Sequence, residues 1–243
     1  MKILSLNAGY FLGYDGTLRD YLMHPLRGVK GDNMVQNRRT EKFTHLVEDT
    51  DPDAVLLQEV DQGSVRGCRA SEPDKIVDQL SGSFEAFTAT KYSGWMKKTP
   101  FTSKMSNAVL YREGKMKNHY LGMGTKSLVQ ELAFEDFSVF SVHLSRFGSA
   151  LRSKQIHEIR KLADERDEYV VAGDFNFHNS GEMENAAEIL DAESFSDGET
   201  FPVVRPRKAL DMAFRSEGLK VEADVLDKRI SDHRPIMLEI KTR

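Results

Sequence analysis

The sequence predicts one α/β domain that is built on more than one β-sheet. The chain has 243 residues, of which 40% are hydrophobic and 30% are charged, and this length and composition are typical of one large globular domain. Short β-prone runs recur along the chain, and amphipathic helical patterns separate them. Because no repeat, low-complexity tract or linker interrupts this alternation, we expect residues 1–243 to form a single domain.

Two nearly continuous apolar runs in the first quarter of the chain predict buried strands. The first, KILSLNA, ends at Asn7, and the second, DAVLLQEVD, runs through 54–58 and ends at Glu59. Between them, residues 10–36 mix glycine, proline, aromatic and basic residues. We predict a loop-rich insertion at these positions.

Three stretches predict helices. They are residues 37–49, residues 72–81 and the run SALRSKQIHEIRKLADERD at 149–167, which is the clearest amphipathic pattern of the chain. Arg152 and Gln155 lie early in the last of these helices. We expect them to support the preceding strand rather than to contact a substrate.

The other β-prone runs come at short intervals. Before the third helix, FEAFTAT predicts one strand, and four further runs with turn residues between them predict an antiparallel meander. These four are NAVLYR, KNHYLGM, SLVQELAF and FSVFSVHLS. Beyond the third helix, four more runs are strand-like, namely EYVVAGDFN, ALDMAFRS, LKVEADVLD and RPIMLEI.

Polar side chains stand at the tips of six predicted strands. They are Asn7, Glu59, His143, Asp174 with Asn176, Asp211, and Asp232 with His233. Since a strand alternates its side chains, Asp174 and Asn176 are predicted to point to the same face. Carboxylates and amides without thiolates suit a hard cation such as Mg²⁺ or Mn²⁺. Histidines that are cationic near neutral pH supply hydrogen-bond donors for a phosphoryl oxygen.

Each of these residues also has an ordinary structural interpretation. Asn7 suits a turn after a strand, Asp174 and Asn176 suit an Asx-turn, and Glu59 suits a solvated strand end. For any one residue alone, the structural interpretation is favoured. The complete set, at successive strand ends, favours a functional site.

Six motifs of this sequence resemble, in order, those of the endonuclease/exonuclease/phosphatase superfamily. They are LSLNAG, LLQEVD, SVHLS, AGDFNF, ALDMAF and SDHRPI, and they extend from residue 4 to residue 236. The resemblance implies a four-layered α/β sandwich, with two mainly antiparallel sheets face to face and helices outside. It also implies a metal-dependent phosphoesterase in which water attacks phosphorus in line, with no covalent enzyme intermediate.

The resemblance implies three metal-binding residues. Glu59 is the main ligand of Mg²⁺ or Mn²⁺. Asn7 and Asp232 also contact the metal, directly or through a water molecule.

The resemblance implies five catalytic residues. Asp174 orients or deprotonates the attacking water, and Asn176 holds that water or a phosphate oxygen. His233 contacts the phosphate, and Asp211 pairs with His233 and raises its basicity. His143 donates to the phosphate from the other side.

One motif narrows the branch of the superfamily. SVHLS places His143 where apurinic endonucleases usually carry a tyrosine-and-asparagine motif. In carrying a histidine at this position, the sequence is similar to the deoxyribonuclease I, neutral sphingomyelinase and inositol polyphosphate 5-phosphatase branches. An abasic-site repair role is therefore disfavoured.

The substrate stays open at this point. A phosphodiester in nucleic acid is favoured, and the alternative is a phospholipid or inositol-phosphate head group. A third hypothesis is a non-catalytic binding module on the same fold. The net charge of −4 argues against a dedicated nucleic-acid binder with a broad basic face, but not against an enzyme that contacts a few phosphates.

Four residues are candidates for substrate binding. Trp95, Lys97 and Lys98 lie in an irregular, aromatic and basic stretch that suits a substrate-binding loop, and equally an ordinary exposed loop. Arg207 is a candidate for a second phosphate contact, because guanidinium matches phosphate geometry. His178, two residues after Asn176, is within reach of the site along the chain, although an ordinary surface position is favoured.

Cellular location and partners follow only from broad features of the sequence. Cys68 is the only cysteine, so no internal disulfide forms, and we expect a reducing, cytoplasmic compartment. No apolar run is long enough to span a membrane, so we expect no transmembrane segment. Nothing in the sequence indicates an obligate protein partner.

Overall fold

The structure, a computed structural model, describes most of the chain. The described residues are 1–64, 71–80, 84–99, 102–195 and 198–242. Cys68 lies outside these ranges. The side chain of the predicted substrate-binding residue Trp95 is also outside the described part.

The described chain contains twelve strands and five α-helices. In chain order they are β1 (Lys2–Asn7), α1 (Leu18–Met23), α2 (Asn33–Thr50), β2 (Ala54–Asp61), α3 (Glu72–Gln79), β3 (Glu85–Thr90), β4 (Met105–Tyr111), β5 (Lys115–Tyr120), β6 (Leu128–Ala133), β7 (Ser138–His143), α4 (Ser149–Ala163), β8 (Tyr169–Asp174), α5 (Ser180–Leu190), β9 (Glu193–Phe195), β10 (Asp211–Arg215), β11 (Leu219–Val225) and β12 (Ile236–Thr242).

The strands form two six-stranded sheets. The first has the order β11-β12-β1-β2-β4-β3, and the second has the order β5-β6-β7-β8-β10-β9. Each sheet contains one parallel pair, β1 with β2 and β7 with β8, and its other pairs are antiparallel. The predicted mainly antiparallel sheets are thus confirmed. In the parallel pairs Asn7 lies opposite Gln58, and His143 lies opposite Asp174.

Three apolar layers hold the sheets and helices together. The layer between the sheets contains residues from both of them, for example Ile3, Leu56, Val139, Val170 and Ala213. A second layer joins the first sheet to α2 and α3, and a third joins the second sheet to α4 and α5. The predicted four-layered α/β sandwich is therefore confirmed.

The predicted meander is shorter than expected. Strands β5, β6 and β7 form an antiparallel meander, but NAVLYR, which forms most of β4, pairs with β2 and β3 in the other sheet. An alternating pattern shows that a segment is a strand, but it does not identify the sheet that the strand joins. This part of the prediction was wrong for that reason.

The insertion at 10–36 is more ordered than predicted. Tyr10, Phe11, Leu12 and Tyr14 are buried, and α1 lies within the insertion. Helix α2 begins four residues before the predicted start, because the Asp32 carboxylate accepts from the backbone N–H groups of the first turn at 2.9 and 3.3 Å.

Apolar side chains are exposed in the same segment. Each is more than half exposed: Leu18, Leu22, Met23, Leu26, Val29 and Met34. Of the helices in the part of the chain that the structure describes, none combines the length and the apolar character that crossing a membrane requires.

The helix after β8 was not predicted, and α4 is shorter than predicted. Helix α5 was not predicted, although its cap is visible in the sequence: the Asn179 side chain accepts from the Glu182 N–H at 3.0 Å. Helix α4 ends at Ala163, four residues before the predicted end.

A tight contact between β7 and β8 generates the first prediction. Gly173 has φ +139°, and a Cβ atom there would lie 2.1 Å from the Val142 carbonyl oxygen. Since backbone rather than a flexible side chain fills that space, Gly173→Ala is expected to lower the free energy of unfolding by at least about 2 kcal/mol. Urea denaturation measures this change.

The matched control is Gly28→Ala. A Cβ atom there meets only the Tyr14 hydroxyl, at 3.7 Å, and the free energy of unfolding should change by less than about 1 kcal/mol. Equal effects of the two substitutions would contradict the proposed close approach of the strands.

Candidate active site

The predicted site residues meet at one edge of the sandwich. Six of them line a single cavity of about 130 Å³, namely Asn7, Glu59, Asp174, Asn176, Asp232 and His233. The other two, His143 and Asp211, are buried and contact members of this group. The ends of β1, β2, β7 and β8 carry most of them, and Asp211 begins β10 rather than ending a strand as predicted.

Glu59 is turned into the cavity by a β-bulge. The register between β2 and β4 shifts between Leu57 and Val60, and Glu59 itself has φ +54°. Its N–H donates to Asn107 Oδ1 at 3.3 Å. A left-handed conformation is uncommon for a residue with a side chain, and such bulges are found beside active sites.

Two lysines that the motifs did not identify surround the Glu59 carboxylate. Lys91 Nζ lies 2.8 Å from Glu59 Oε1, and Lys126 Nζ lies 3.7 Å from the same oxygen. Burial works to raise the pKa of Glu59, but the charges of Lys91, Lys126 and His143 hold it well below its usual value. Glu59 is therefore an anion near neutral pH.

Lys91 is the less expected of the two lysines because it is only 1% exposed. Its ammonium group lies 4.9 Å from the centre of the Tyr10 ring, so a cation–π contact accompanies the ion pair. Lys91 follows β3 directly, where a single lysine after a strand gives no distinctive signal in the sequence.

Asp174 accepts two hydrogen bonds and has one close contact with a histidine. Asn7 Nδ2 donates to Oδ2 at 2.8 Å, His143 Nε2 lies 3.3 Å from Oδ2, and the Asn176 N–H donates to Oδ1 at 2.9 Å. Burial works to raise the pKa of Asp174, but the contact with His143 and the charges of His143, His233 and Lys126 hold it below its usual value.

The geometry of Asp174 and Asn176 differs from the prediction. The strand ends at Asp174, and Asn176 has φ +53°. The two side chains are brought together by a turn that the Asp174 carboxylate stabilises, not by strand alternation. Phe175, between them, packs into the outer core against Phe214.

His143 faces the site through Nε2. This atom contacts Lys126 Nζ and lies 3.9 Å from Glu59 Oε1. Nδ1 is buried and has no hydrogen-bond partner among the described residues. Burial and Lys126 lower the pKa of His143 to about 4, so the imidazole is neutral at pH 7.

His233 and Asp211 form a buried pair. His233 Nδ1 donates to Asp211 Oδ2 at 2.7 Å, and the Thr200 hydroxyl donates to the same oxygen at 2.6 Å. Burial works to lower the pKa of His233, but Asp211, Asp232 and Asp174 raise it to about 10. His233 is therefore an imidazolium at neutral pH.

Asp232 connects the site to the insertion. The Tyr21 hydroxyl in α1 donates to Asp232 Oδ2 at 2.7 Å. Burial and the Glu59 carboxylate raise the pKa of Asp232, against the lowering effect of His233 and Tyr21. Asp232 thus faces the same cavity as the carboxylates of Glu59 and Asp174, an arrangement that a bound cation would stabilise.

The donor set fits a hard divalent cation. Asn7, Glu59 and Asp232 offer only oxygen ligands and line the same cavity. Within the described ranges, no three histidine, cysteine or acidic side chains are already arranged as a metal cluster. The amide of Asn7 is therefore needed beside the two carboxylates if these residues hold the ion.

Basic side chains at the mouth of the cavity are mostly not those predicted. Lys126, Arg146, His178 and Lys208 line it, and of these the sequence analysis had considered only His178. Lys97 and Lys98 are exposed on the turn at Gly94–Lys98, and neither lines the cavity. Arg207 lies in an adjacent cavity of about 510 Å³ that shares His178 and Lys208 with the site.

Comparison with known proteins yields one family and many structural neighbours. The model of the Endonuclease/Exonuclease/phosphatase family matches residues 5–233. No curated protein matches the chain.

Three solved structures illustrate the structural likeness. An endonuclease/exonuclease/phosphatase family protein from Leptotrichia buccalis C-1013-b has a TM-score of 0.70 and 17% identity, and covers 99% of each chain. The mannosyl-6-phosphatase of Bacteroides thetaiotaomicron VPI-5482 has a TM-score of 0.69 and 14% identity, again over 99% of each chain. TDP2 from D. rerio, complexed with a single-strand DNA product, has a TM-score of 0.67 and 13% identity, over 100% of this chain and 99% of that chain. At these identities the likeness shows the fold alone.

The ion pair between buried Lys91 and partly buried Glu59 generates the second prediction. Lys91→Met removes a charged hydrogen bond at a nearly dry position, so the free energy of unfolding should fall by about 2 kcal/mol. Urea denaturation measures the loss. Adding Glu59→Gln to Lys91→Met should restore part of it, because the carboxylate that has lost its nearest cation is then removed.

Lys220→Met is the control for this prediction. Lys220 pairs with Glu222 at 3.5 Å, but both side chains are more than half exposed. The free energy of unfolding should change by less than about 0.5 kcal/mol. If Lys91→Met has as small an effect, the buried pair does not support Glu59.

The His233–Asp211 pair generates the third prediction. Because the pKa of His233 is raised to about 10, its contribution to stability is complete below its unfolded pKa of about 6.5 and is lost as pH rises through about 10. Asp211→Asn should lower the pKa of His233 part of the way towards its ordinary value. The alkaline loss of stability should then begin at lower pH.

Two measurements on the metal-free protein check this prediction. They are an NMR titration of the His233 ring and urea unfolding between pH 6 and 10.5. The control is Asp227→Asn, which removes an exposed carboxylate that lies 2.9 Å from Arg234. An unchanged His233 titration in Asp211→Asn would refute the assigned cause of the raised pKa.

Proposed function

Because the chain belongs to the endonuclease/exonuclease/phosphatase family, we propose that it is a Mg²⁺- or Mn²⁺-dependent phosphoesterase that hydrolyses a phosphodiester, with nucleic acid as the favoured substrate. The observation that carries this proposal is the hydrogen-bonded group around Asp174 in the same cavity as Glu59 and Asp232. The complete set of motif residues also favours an enzyme over a non-catalytic binding module.

Asp174 and Asn176 are proposed to hold the attacking water. The lowered pKa of Asp174 keeps its carboxylate ionised at neutral pH, so it accepts a hydrogen bond from the water at all times. A carboxylate with a low pKa is a weak base. We therefore assign Asp174 mainly to orienting the water, and Asn176 to holding the water or a phosphate oxygen.

The cationic side chains are proposed to stabilise the charge that develops on the phosphoryl oxygens. His233 uses Nδ1 for Asp211, which leaves the other ring N–H of the imidazolium for a phosphoryl oxygen. Lys126 lies beside His143 Nε2, so a cation is present on that side although the His143 imidazole is neutral. We assign contact with one side of the phosphate to His233, and contact with the other side to Lys126 and His143.

Asn7, Glu59 and Asp232 are proposed to hold the cation. A divalent cation bound there supplies Lewis acidity to a phosphoryl oxygen. Lys91 fixes the Glu59 carboxylate from behind, and Tyr21 fixes that of Asp232. These two contacts hold the carboxylates in position, which lowers the cost of arranging them around an ion.

Nucleic acid is favoured by the basic residues on both sides of the cavity. Lys126 and Arg146 stand on one side, and Arg207 and Lys208 on the other. A polymer with regularly spaced phosphates is able to use both sides at once. The solved TDP2 structure with a single-strand DNA product is consistent with this choice.

A phospholipid head group is the second candidate, and one observation favours it. The segment 18–34 exposes six large apolar side chains, and the Tyr21–Asp232 bond holds this segment beside the cavity. Apolar side chains at the edge of a site suit contact with a lipid surface. No observation favours inositol phosphates.

Catalysis by this site generates the fourth prediction. With Mg²⁺ or Mn²⁺, the purified protein should hydrolyse bis(p-nitrophenyl) phosphate, and Asp174→Asn should lower kcat at least about 100-fold. EDTA should abolish the activity, and added metal should restore it. A panel of single- and double-stranded DNA, RNA and phosphocholine diester vesicles then identifies the substrate class.

The control for the substitution is Asp191→Ala, which removes a carboxylate that is 89% exposed. Near-normal turnover by Asp174→Asn would refute the site, and activity that survives exhaustive chelation would refute the metal. On a polynucleotide, binding should weaken steeply as salt increases. A flat salt response together with cleavage of vesicles would favour the lipid candidate.

A further inference from the structure

A groove with basic and aromatic walls opens from the catalytic cavity. We call it the basic groove; it has a volume of about 680 Å³ and shares Glu59, Lys126 and Arg146 with the cavity. Tyr92 and Phe147 also line it. A space of this size is sufficient for one nucleotide next to a phosphate bound in the cavity.

Phe147 is the unusual residue of the groove. It is 80% exposed, and no other phenylalanine among the described residues is an exposed one. The guanidinium carbon of Arg146 lies 5.8 Å from the centre of the Phe147 ring. An exposed aromatic ring beside a cation is the combination that stacks a base and pairs with its phosphate in single-strand binding proteins.

Helix α4 fixes both walls of the groove. Arg152, which is 1% exposed, donates from Nη1 to the carbonyls of Ser145 and Arg146, both at 3.1 Å. Gln155 accepts from the Ser145 N–H at 3.0 Å and donates to the Lys126 carbonyl at 2.8 Å. These bonds confirm that Arg152 and Gln155 support the strand end.

The loop that carries Arg146 and Phe147 is also tied to α5. Arg152 Nη2 lies 2.6 Å from Glu182 Oε2, and the Arg146 carbonyl lies 3.2 Å from His178 Nε2. The backbone of the wall is therefore held before any ligand arrives. Less conformational entropy is then lost when a ligand binds.

We propose that the basic groove binds one unpaired nucleotide next to the scissile phosphate, with its base stacked on Phe147 and its own phosphate paired with Arg146. This inference rests on the proposed phosphodiesterase function and names single-stranded nucleic acid as its substrate class. A base inside a duplex is already stacked and paired, so its face is not available to Phe147. A phosphocholine head group has no aromatic face to stack.

The test uses two strands that differ only in their bases. One is an oligomer of eight thymidines, and the other is a strand of equal length and charge made of abasic tetrahydrofuran spacers. The wild-type protein with Mg²⁺ or Mn²⁺ should show a kcat/KM about tenfold higher on the thymidine strand, which corresponds to about 1.4 kcal/mol for a stacked base. Annealing the thymidine strand to its complement should remove this advantage.

Variants assign the preference to individual side chains. Phe147→Ala should reduce the ratio of the two kcat/KM values to near one, Phe147→Leu should do the same, and Phe147→Trp should retain the ratio, because the aromatic face rather than apolar bulk is required. Arg146→Ala should lower kcat/KM equally on both strands and reduce the salt dependence by about one counterion. Met34→Ala, which changes an exposed apolar side chain outside the groove, should leave the ratio unchanged.

The outcomes separate this inference from the proposed function. Hydrolysis of both strands with a ratio near one in the wild type, or a tenfold ratio that persists in Phe147→Ala, overturns the base-stacking site and leaves the phosphodiesterase function standing. Hydrolysis of bis(p-nitrophenyl) phosphate but of neither strand overturns the nucleic-acid class. No hydrolysis of any diester overturns the proposed function itself. Since Phe147 is exposed, its variants should unfold at the wild-type urea midpoint, which confirms that the fold is intact.

Discussion

The site depends on one hydrogen bond between the two sheets, the one that Asn7 donates to Asp174 at 2.8 Å. Asn7 ends β1 in the first sheet, and Asp174 ends β8 in the second. The proposed metal ligands all belong to the first sheet and its loops, whereas the proposed water-orienting residues belong to the second. The apolar layer between the sheets brings these halves together. The His233–Asp211 pair is a second bridge of the same kind. The packing of the two sheets against each other therefore also brings the two halves of the site together.

The second constraint is the neutralisation of carboxylates that are buried or partly buried. A carboxylate removed from water is costly unless cations or hydrogen-bond donors replace the lost hydration. Here Lys91 and Lys126 form ion pairs with Glu59, and the His233 imidazolium forms an ion pair with Asp211. Asp232 has a raised pKa and accepts from a neutral donor, the Tyr21 hydroxyl. The net charge of −4 does not indicate these ion pairs, because each carboxylate is neutralised by cations in its own surroundings.

The sequence predicted the layers of the fold through the resemblance to the family, and it predicted the eight residues at the sheet edge from local patterns. An apolar run that ends in a polar residue identifies a strand tip, and the order of motifs identifies the family. The side chains that contact those residues were harder to predict from the sequence. Lys91 contacts Glu59 across 32 residues of chain, and Tyr21 contacts Asp232 across 211. Such contacts depend on strand order and loop course, which periodicity does not encode. For the same reason β4 was placed in the wrong sheet. The turn at Asn176 is local, since the Asp174 carboxylate holds it, but the pattern of the preceding strand was taken to continue through it.

The insertion is a structural part of the site rather than a peripheral loop. Its first residues, including Phe11, are packed under the first sheet, and α1 presents Tyr21 to Asp232. Because one oxygen of Asp232 accepts from Tyr21, the position of α1 and the position of that carboxylate depend on each other. The wall formed by Arg146 and Lys126 is also held by a helix. Arg152 and Gln155 of α4 donate hydrogen bonds to the loops that carry these two residues. Strand ends thus carry the proposed chemistry, and segments that are hydrogen-bonded to those ends carry the surfaces around it. A ligand that moves either segment must therefore also shift the proposed catalytic residues.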